Sequence, residues 1–168
     1  MDLEWLWPLL VGAGLTVMVG SAERLSVHRR EDRRDARQHV SDAFALSTRL
    51  AEEIHDARAS VRFGSDPVDP EDIPALRKLR AIDERMPTRR LRRAMRDALQ
   101  IISYAPWVHR LGGWKEPAGH VQEAAAVQLR SVLAASERGD RIPPLRAAKW
   151  LRLRAREATE MVQKASDS

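Results

Sequence analysis

Nine cationic side chains crowd one short stretch of this chain: Arg77, Lys78, Arg80, Arg85, Arg89, Arg90, Arg92, Arg93 and Arg96, opposed there only by Asp83 and Glu84. Arginine presents a planar fork of donors suited to phosphate oxygens, so this density points to an anionic phosphate surface. Two sources qualify: the headgroups of acidic lipids and the backbone of a nucleic acid. The competing account is a solvated arginine face with no ligand. Arg77, Lys78, Arg80, Arg89, Arg92, Arg93 and Arg96 are the candidate contacts. Within 89–96, Arg89, Arg92, Arg93 and Arg96 fall opposite Leu91 and Met95, which predicts a basic stripe turned to solvent. No helix-turn-helix or zinc pattern specifies base reading.

Other chemistry is thinner. Glu52 and His55 have the spacing that sets two metal ligands on one helix face. A binding site needs a second such pair, and His120 with Glu123 gives the reverse order, so no metal site and no cofactor are assigned. Ser47, Ser103 and Ser131 lie in helical patterns without a nucleophile elbow, and no glycine loop cradles phosphate. No catalytic residue follows from the sequence. Trp107, His109 and Trp114, with Gly112 and Gly113 between them, offer either a partner-docking loop or an aromatic plug at the end of a helical bundle. Arg146, Lys149, Arg152 and Arg156 repeat the basic theme near the C-terminus, beside Trp150 and Leu153.

The elements that position these groups are helical. Ala, Leu and Arg dominate and aromatic residues make up 5%, which favours helix over strand. At 168 residues the chain has room for one ordinary domain and an appendage. It has no cysteine, which excludes disulfides and thiolate metal sites. Trp5–Ala22, WLWPLLVGAGLTVMVGSA, carries no charge and is near the lower limit of the length that crosses a bilayer core. All 29 lysines and arginines follow it, beginning with Arg24, Arg29, Arg30, Arg33, Arg34 and Arg37, whereas Asp2 and Glu4 precede it. A secretory signal has the reverse charge order. The arginine flank therefore predicts a single-pass anchor with the N-terminus outside and the bulk cytoplasmic. Trp5 and Trp7 suit an interfacial belt. Gly12, Thr16 and Gly20 form a small-residue stripe that would let a second copy of the helix approach.

The expected organisation is an all-α chain: an anchor over 1–22, a basic helical stalk over 23–39, a cytoplasmic bundle of about five helices over 40–165, and a tail over 166–168. The first bundle helix carries Val40, Ala43, Phe44, Ser47, Leu50, Ile54, Ala57 and Val61 on one face. Phe63–Pro74 breaks it with Gly, Asp and prolines. Ile73, Leu76, Leu79, Ile82 and Met86 mark a short helix ending at Pro87. Thr88 then caps a helix with Leu91, Met95, Ala98, Leu99 and Ile102 buried. Tyr104–Gly119 reads as a long connection. Val121, Ala125, Leu129, Val132 and Leu133 define the next helix, closed near Gly139. Leu145, Ala148, Leu151, Ala155, Ala158 and Val162 define the last, entered through Pro143 and Pro144.

The expected function is a membrane-anchored helical interaction or scaffold protein, docking a protein partner or another copy of itself. The alternative is an arginine-patch binder of anionic lipid or nucleic acid. A membrane-associated enzyme working through His109 or His55 ranks behind both.

Overall fold

The computed structural model describes residues 6–60, 66–140 and 145–167, with side chains described from residue 30 onward in those ranges. Among them the chain is helical throughout: α1 (Leu6–Ser60), α2 (Pro74–Ile82), α3 (Arg89–Arg110), α4 (Ala118–Glu137) and α5 (Leu145–Ser166). Single 3-10 turns stand at Pro70–Asp72 and Asp83–Arg85. The chain divides into two units, Met1–Ala36 and Arg37–Ser168. In the first, Arg30 through Asp35 are all exposed. Trp5–Ala22, with its Gly12, Thr16 and Gly20, lies outside the residues so described, as do Arg24 and Arg29. Val61, Phe63, Gly64, Pro143 and Pro144 fall outside them too. Among the described residues no helix is long and apolar enough to cross a membrane.

In the second unit, α1 buries a line of residues from Val40 through Ala43, Ser47, Leu50 and Ile54 to Arg58. Steps of three and four keep them on one side of a helix with 3.6 residues per turn. That side meets α4 in antiparallel sense: Ser41 Oγ donates to Glu137 Oε1 at 3.0 Å, and His55 Nδ1 lies 3.0 Å from Glu123 Oε1. The nearly buried Arg58 guanidinium also donates to the Glu123 carboxylate.

Ile73, which precedes α2, has no side-chain oxygen with which to cap it. Glu53 of α1 supplies one instead, accepting from the Ala75 N–H at 2.9 Å, so a first-turn donor that the helix cannot pair internally is satisfied from a neighbouring element. Ile73, Leu76, Leu79 and Met86 are fully buried around this short helix. Thr88 caps α3 as its sequence position predicts, its hydroxyl accepting from Leu91 N at 3.2 Å.

The structure corrects the expected long connection from Tyr104 to Gly119. Helix α3 continues through Pro106 to Arg110. A proline inside a helix removes the N–H that would reach the carbonyl four residues back, here that of Ile102. Gln122, fully buried on α4, answers that carbonyl by donating Nε2 to Ile102 O at 3.1 Å. The same amide donates to Val68 O and accepts from Val68 N, both at 2.8 Å. One glutamine thus satisfies the proline-freed carbonyl and fastens the segment before α2. The apolar line then continues through Ala105 and Val108, both fully buried.

Helix α3 ends where backbone geometry stops it. Gly112 has φ +63, Gly112 N–H donates to His109 O, and Gly113 N–H donates to Val108 O, the pairing of a Schellman cap. Gly139, at φ +80, closes α4 in the same way. A Cβ on Gly113 would run into the Met161 sulfur of α5, so a side chain there would require the flexible methionine to move aside.

Helix α3 is central, packed against both α4 and α5. The buried line of α5 is Ala147, Leu151, Ala155 and Ala158. This corrects the start of the predicted stripe. Leu145 is 72% exposed and Ala148 half-buried. Residues two apart on a helix point in nearly opposite directions, so burying Ala147 turns Leu145 outward.

Candidate functional site

The basic residues of α2, α3 and α5 form neighbouring surfaces. Arg77, Lys78 and Arg80 on α2 are exposed, as are Arg89, Arg93 and Arg96 on α3. The expected stripe is corrected at Arg92. That residue is half-buried and donates to Met86 O at 2.9 Å, tying the Asp83–Arg85 turn to the first turn of α3. Arg92 lies about 40° further round the helix than Arg96, at the edge of the outward line on the side where the Met86 carbonyl stands. Two further links hold α2 against α3 in antiparallel sense. Arg80 donates to the Ser103 hydroxyl, and Arg96 Nε lies 3.4 Å from Asp83 Oδ2. The Asp83 Oδ1 atom is buried without a hydrogen-bond partner.

Helix α5 closes the other flank. Gln100 Nε2 donates to Thr159 Oγ1 at 2.6 Å across the α3–α5 seam. Half-buried Asp97 sits one turn before Gln100. Burial raises its carboxyl above the ordinary value of 3.8, while the positive charges of Arg93, Arg152 and Arg96 pull the other way. Arg152 belongs to α5, so a charge of that helix acts on a carboxyl of α3 there. Arg146, Lys149, Arg152 and Arg156 are all exposed, and Arg156 pairs with Glu160 at 2.7 Å.

At the far end of α3, Trp107 is 57% exposed with the Arg110 guanidinium 5.5 Å from its ring centre. Leu111, one turn on, is also exposed. His109 Nε2 lies 3.6 Å from Asp66 Oδ1. Trp114 lines one cleft with His109 but turns its ring inward. It packs against the hydrophobic core, and its indole N–H is buried without a partner. Of the three residues singled out in the sequence, the fold therefore exposes Trp107, leaves His109 exposed beside the Asp66 carboxylate and folds Trp114 inward. Two open clefts of about 350 and 330 Å³ flank Trp114. The larger is walled by charge, including Arg154, which bridges Glu116 at 2.7 Å and Glu157 at 2.9 Å.

The Glu-x-x-His pair stays at the surface. His55 and Arg58 both engage Glu123, while Glu52 and His120 stay exposed. Among the described residues no cluster of three His, Cys, Asp or Glu side chains converges as a metal site would.

Two residues that matter here escaped the sequence reading. Gln122 looked like any polar residue on a helix; the available signal was an apolar line running on past Pro106, which requires a buried donor. Asp97 carried no signal in the sequence; its half-buried place beside Arg152 of α5 emerges only in the fold.

These observations define a helical module with a broad cationic face and an exposed aromatic tip. Compared with protein-family models, curated proteins and solved structures, the chain matches none.

Proposed function

We propose that this chain is a single-pass membrane protein that holds a helical interaction domain at the cytoplasmic surface, where it docks a protein partner. The observation that carries this reading is the charge order around Trp5–Ala22. An uncharged run of bilayer-spanning length is preceded by Asp2 and Glu4 with no lysine or arginine, and is followed after Glu23 by Arg24, Arg29 and Arg30. The exposed pair Trp107 and Arg110 supports the docking half, because tryptophan and arginine dominate the energetic centres of protein interfaces.

The test is made on the full chain in its native membranes. It should resist extraction at alkaline pH, and a reporter that matures only in the cytoplasm should be active at its C-terminus. Release at alkaline pH overturns the anchor, and an inactive reporter overturns the orientation. Cross-linked capture from these membranes should return a stoichiometric partner that Trp107→Ala loses; a partner retained at full yield moves the docking site elsewhere.

A second reading is favoured by the meeting of α2, α3 and α5: their combined arginines serve as a receptor for the phosphates of anionic lipid or nucleic acid. The same capture distinguishes it. Lipid or nucleic acid that co-purifies and is removed by salt supports this reading over the scaffold.

A further inference from the structure

The outward line of α3 is not uniformly basic. Arg89, Arg93 and Arg96 occupy its first turns and Trp107 and Leu111 its end, with half-buried Gln100 and Ser103, bonded to α5 and α2, between them. The outward line of α5 alternates in a similar way. Leu145, Lys149 and Leu153 follow one another at four-residue steps, with Arg152 and Arg156 beside them. Leu153 is 51% exposed. Five large hydrophobic side chains stand exposed among the described residues, and four of them lie on these two lines; the fifth, Val127, is on α4. The Gln100–Thr159 hydrogen bond lays the two lines side by side.

Cations alone would suit any polyanion. Cations interleaved with exposed leucines and a tryptophan suit a bilayer surface, where arginine and lysine pair with headgroups while the apolar side chains enter the acyl boundary. A nucleic acid backbone would engage the arginines and leave Leu145 and Leu153 in water. We infer that the joined outward faces of α3 and α5 form a docking surface for an anionic lipid bilayer. This rests on the second reading above and narrows its phosphate source to lipid. It does not depend on the anchor, since the two signals are carried by separate stretches of chain. A peripheral basic-apolar face and a membrane tether are the kind of paired signals that make attachment stable.

The chain contains no cysteine, so a single Leu153→Cys can carry a fluorophore in the full-length protein without competing thiols. That protein is reconstituted into phosphatidylcholine vesicles and into vesicles containing phosphatidylglycerol, both doped with a lipid-borne quencher. The label should be quenched in the anionic vesicles alone, and high salt should relieve it. A label at Val127→Cys on α4 should stay bright in both. Each basic residue near an anionic surface strengthens attraction roughly five-fold. The combined Lys149→Gln, Arg152→Gln and Arg156→Gln changes should therefore weaken the surface attachment by about a hundred-fold. They should cost little stability, because all three side chains are exposed.

An unquenched Leu153 label in anionic vesicles overturns the inference. So does a label that responds to a DNA duplex and ignores those vesicles, which would assign the face to nucleic acid. An alkaline wash of the same vesicles separates this outcome from the anchor. Protein that stays in the vesicles with an unquenched label keeps the anchor and loses the docking surface, whereas washed-off protein that had been quenched loses the anchor and keeps the surface.

Discussion

Helices α3 and α5 each have an inner and an outer side built on opposite rules. The inner side of α3 is apolar from Leu91 to Val108, and the carbonyl that Pro106 leaves open on it is met by Gln122. The outer side leaves arginines, Trp107 and Leu111 in solvent. Helix α5 repeats the arrangement, burying Ala147, Leu151, Ala155 and Ala158 while exposing Leu145, Leu153 and five cations. Stability is concentrated on the inner side, where apolar area is removed from water and buried polar groups are paired. The outer side has little to do with holding the fold, so its exposed leucines call for an explanation in terms of contact with something else.

The comparison is tested most sharply by removing a large inner side chain. Leu151 is fully buried between α5 and the rest of the core. Leu151→Ala should lower unfolding free energy by about 3 kcal/mol, combining lost transfer energy with the cavity left behind. Urea denaturation measures it, and a loss no larger than that of a surface change would show that α5 is not part of the cooperative core. The next effect is polar. Gln122→Leu keeps the volume but leaves the Ile102 carbonyl buried and unpaired, which should cost about 2 kcal/mol. Adding Pro106→Ala to that variant restores an N–H able to reach the carbonyl. The double variant should therefore be more stable than Gln122→Leu alone, and simple additivity of the two changes would show that Gln122 and Pro106 are not coupled.

The helices themselves were legible because their signals are local. Thr88 announces the start of α3, Gly139 the end of α4, and three- and four-residue spacing announces the faces of α1 and α4. Two things were not legible, for one reason. Pro106 reads as a stop because its remedy, Gln122, is contributed by another helix. The basic runs at 77–96 and 146–156 read as separate stripes because what joins them, the Gln100–Thr159 bond and the influence of Arg152 on Asp97, exists only after α5 has packed. Leu145 was misassigned by a similar margin, since one stripe on a helix is told from its opposite by a shift of two residues and a proline-led start gives no fixed register.

On the outer side the expected effects shrink. Leu153→Ser should shift unfolding free energy by no more than about 0.5 kcal/mol while weakening any contact made by the α5 face. A larger loss of stability would mean that Leu153 packs within the fold, and would break the division between the two sides.

Asp97 lies on the boundary between them, and its charge makes the smallest and most diagnostic prediction. Burial raises its carboxyl above the ordinary value despite Arg93, Arg152 and Arg96. A group that binds its proton more tightly when folded contributes stability below its unfolded value. That contribution is lost as pH rises through the raised folded value. Asp97→Asn imitates the protonated form at every pH. The variant should therefore melt slightly higher than the parent at neutral pH, and the gap should close as pH falls toward 3.8, the ordinary carboxylate value. Thermal melts across this range read both signs. If Asp97→Asn melts lower at neutral pH, the three arginines outweigh the burial, and Asp97 is the counter-ion that lets the α3 and α5 cations stand side by side. In that case the charge joining the two outer faces would also stabilise the fold, and the separation of an inner, stabilising side from an outer, contacting side would end at this residue.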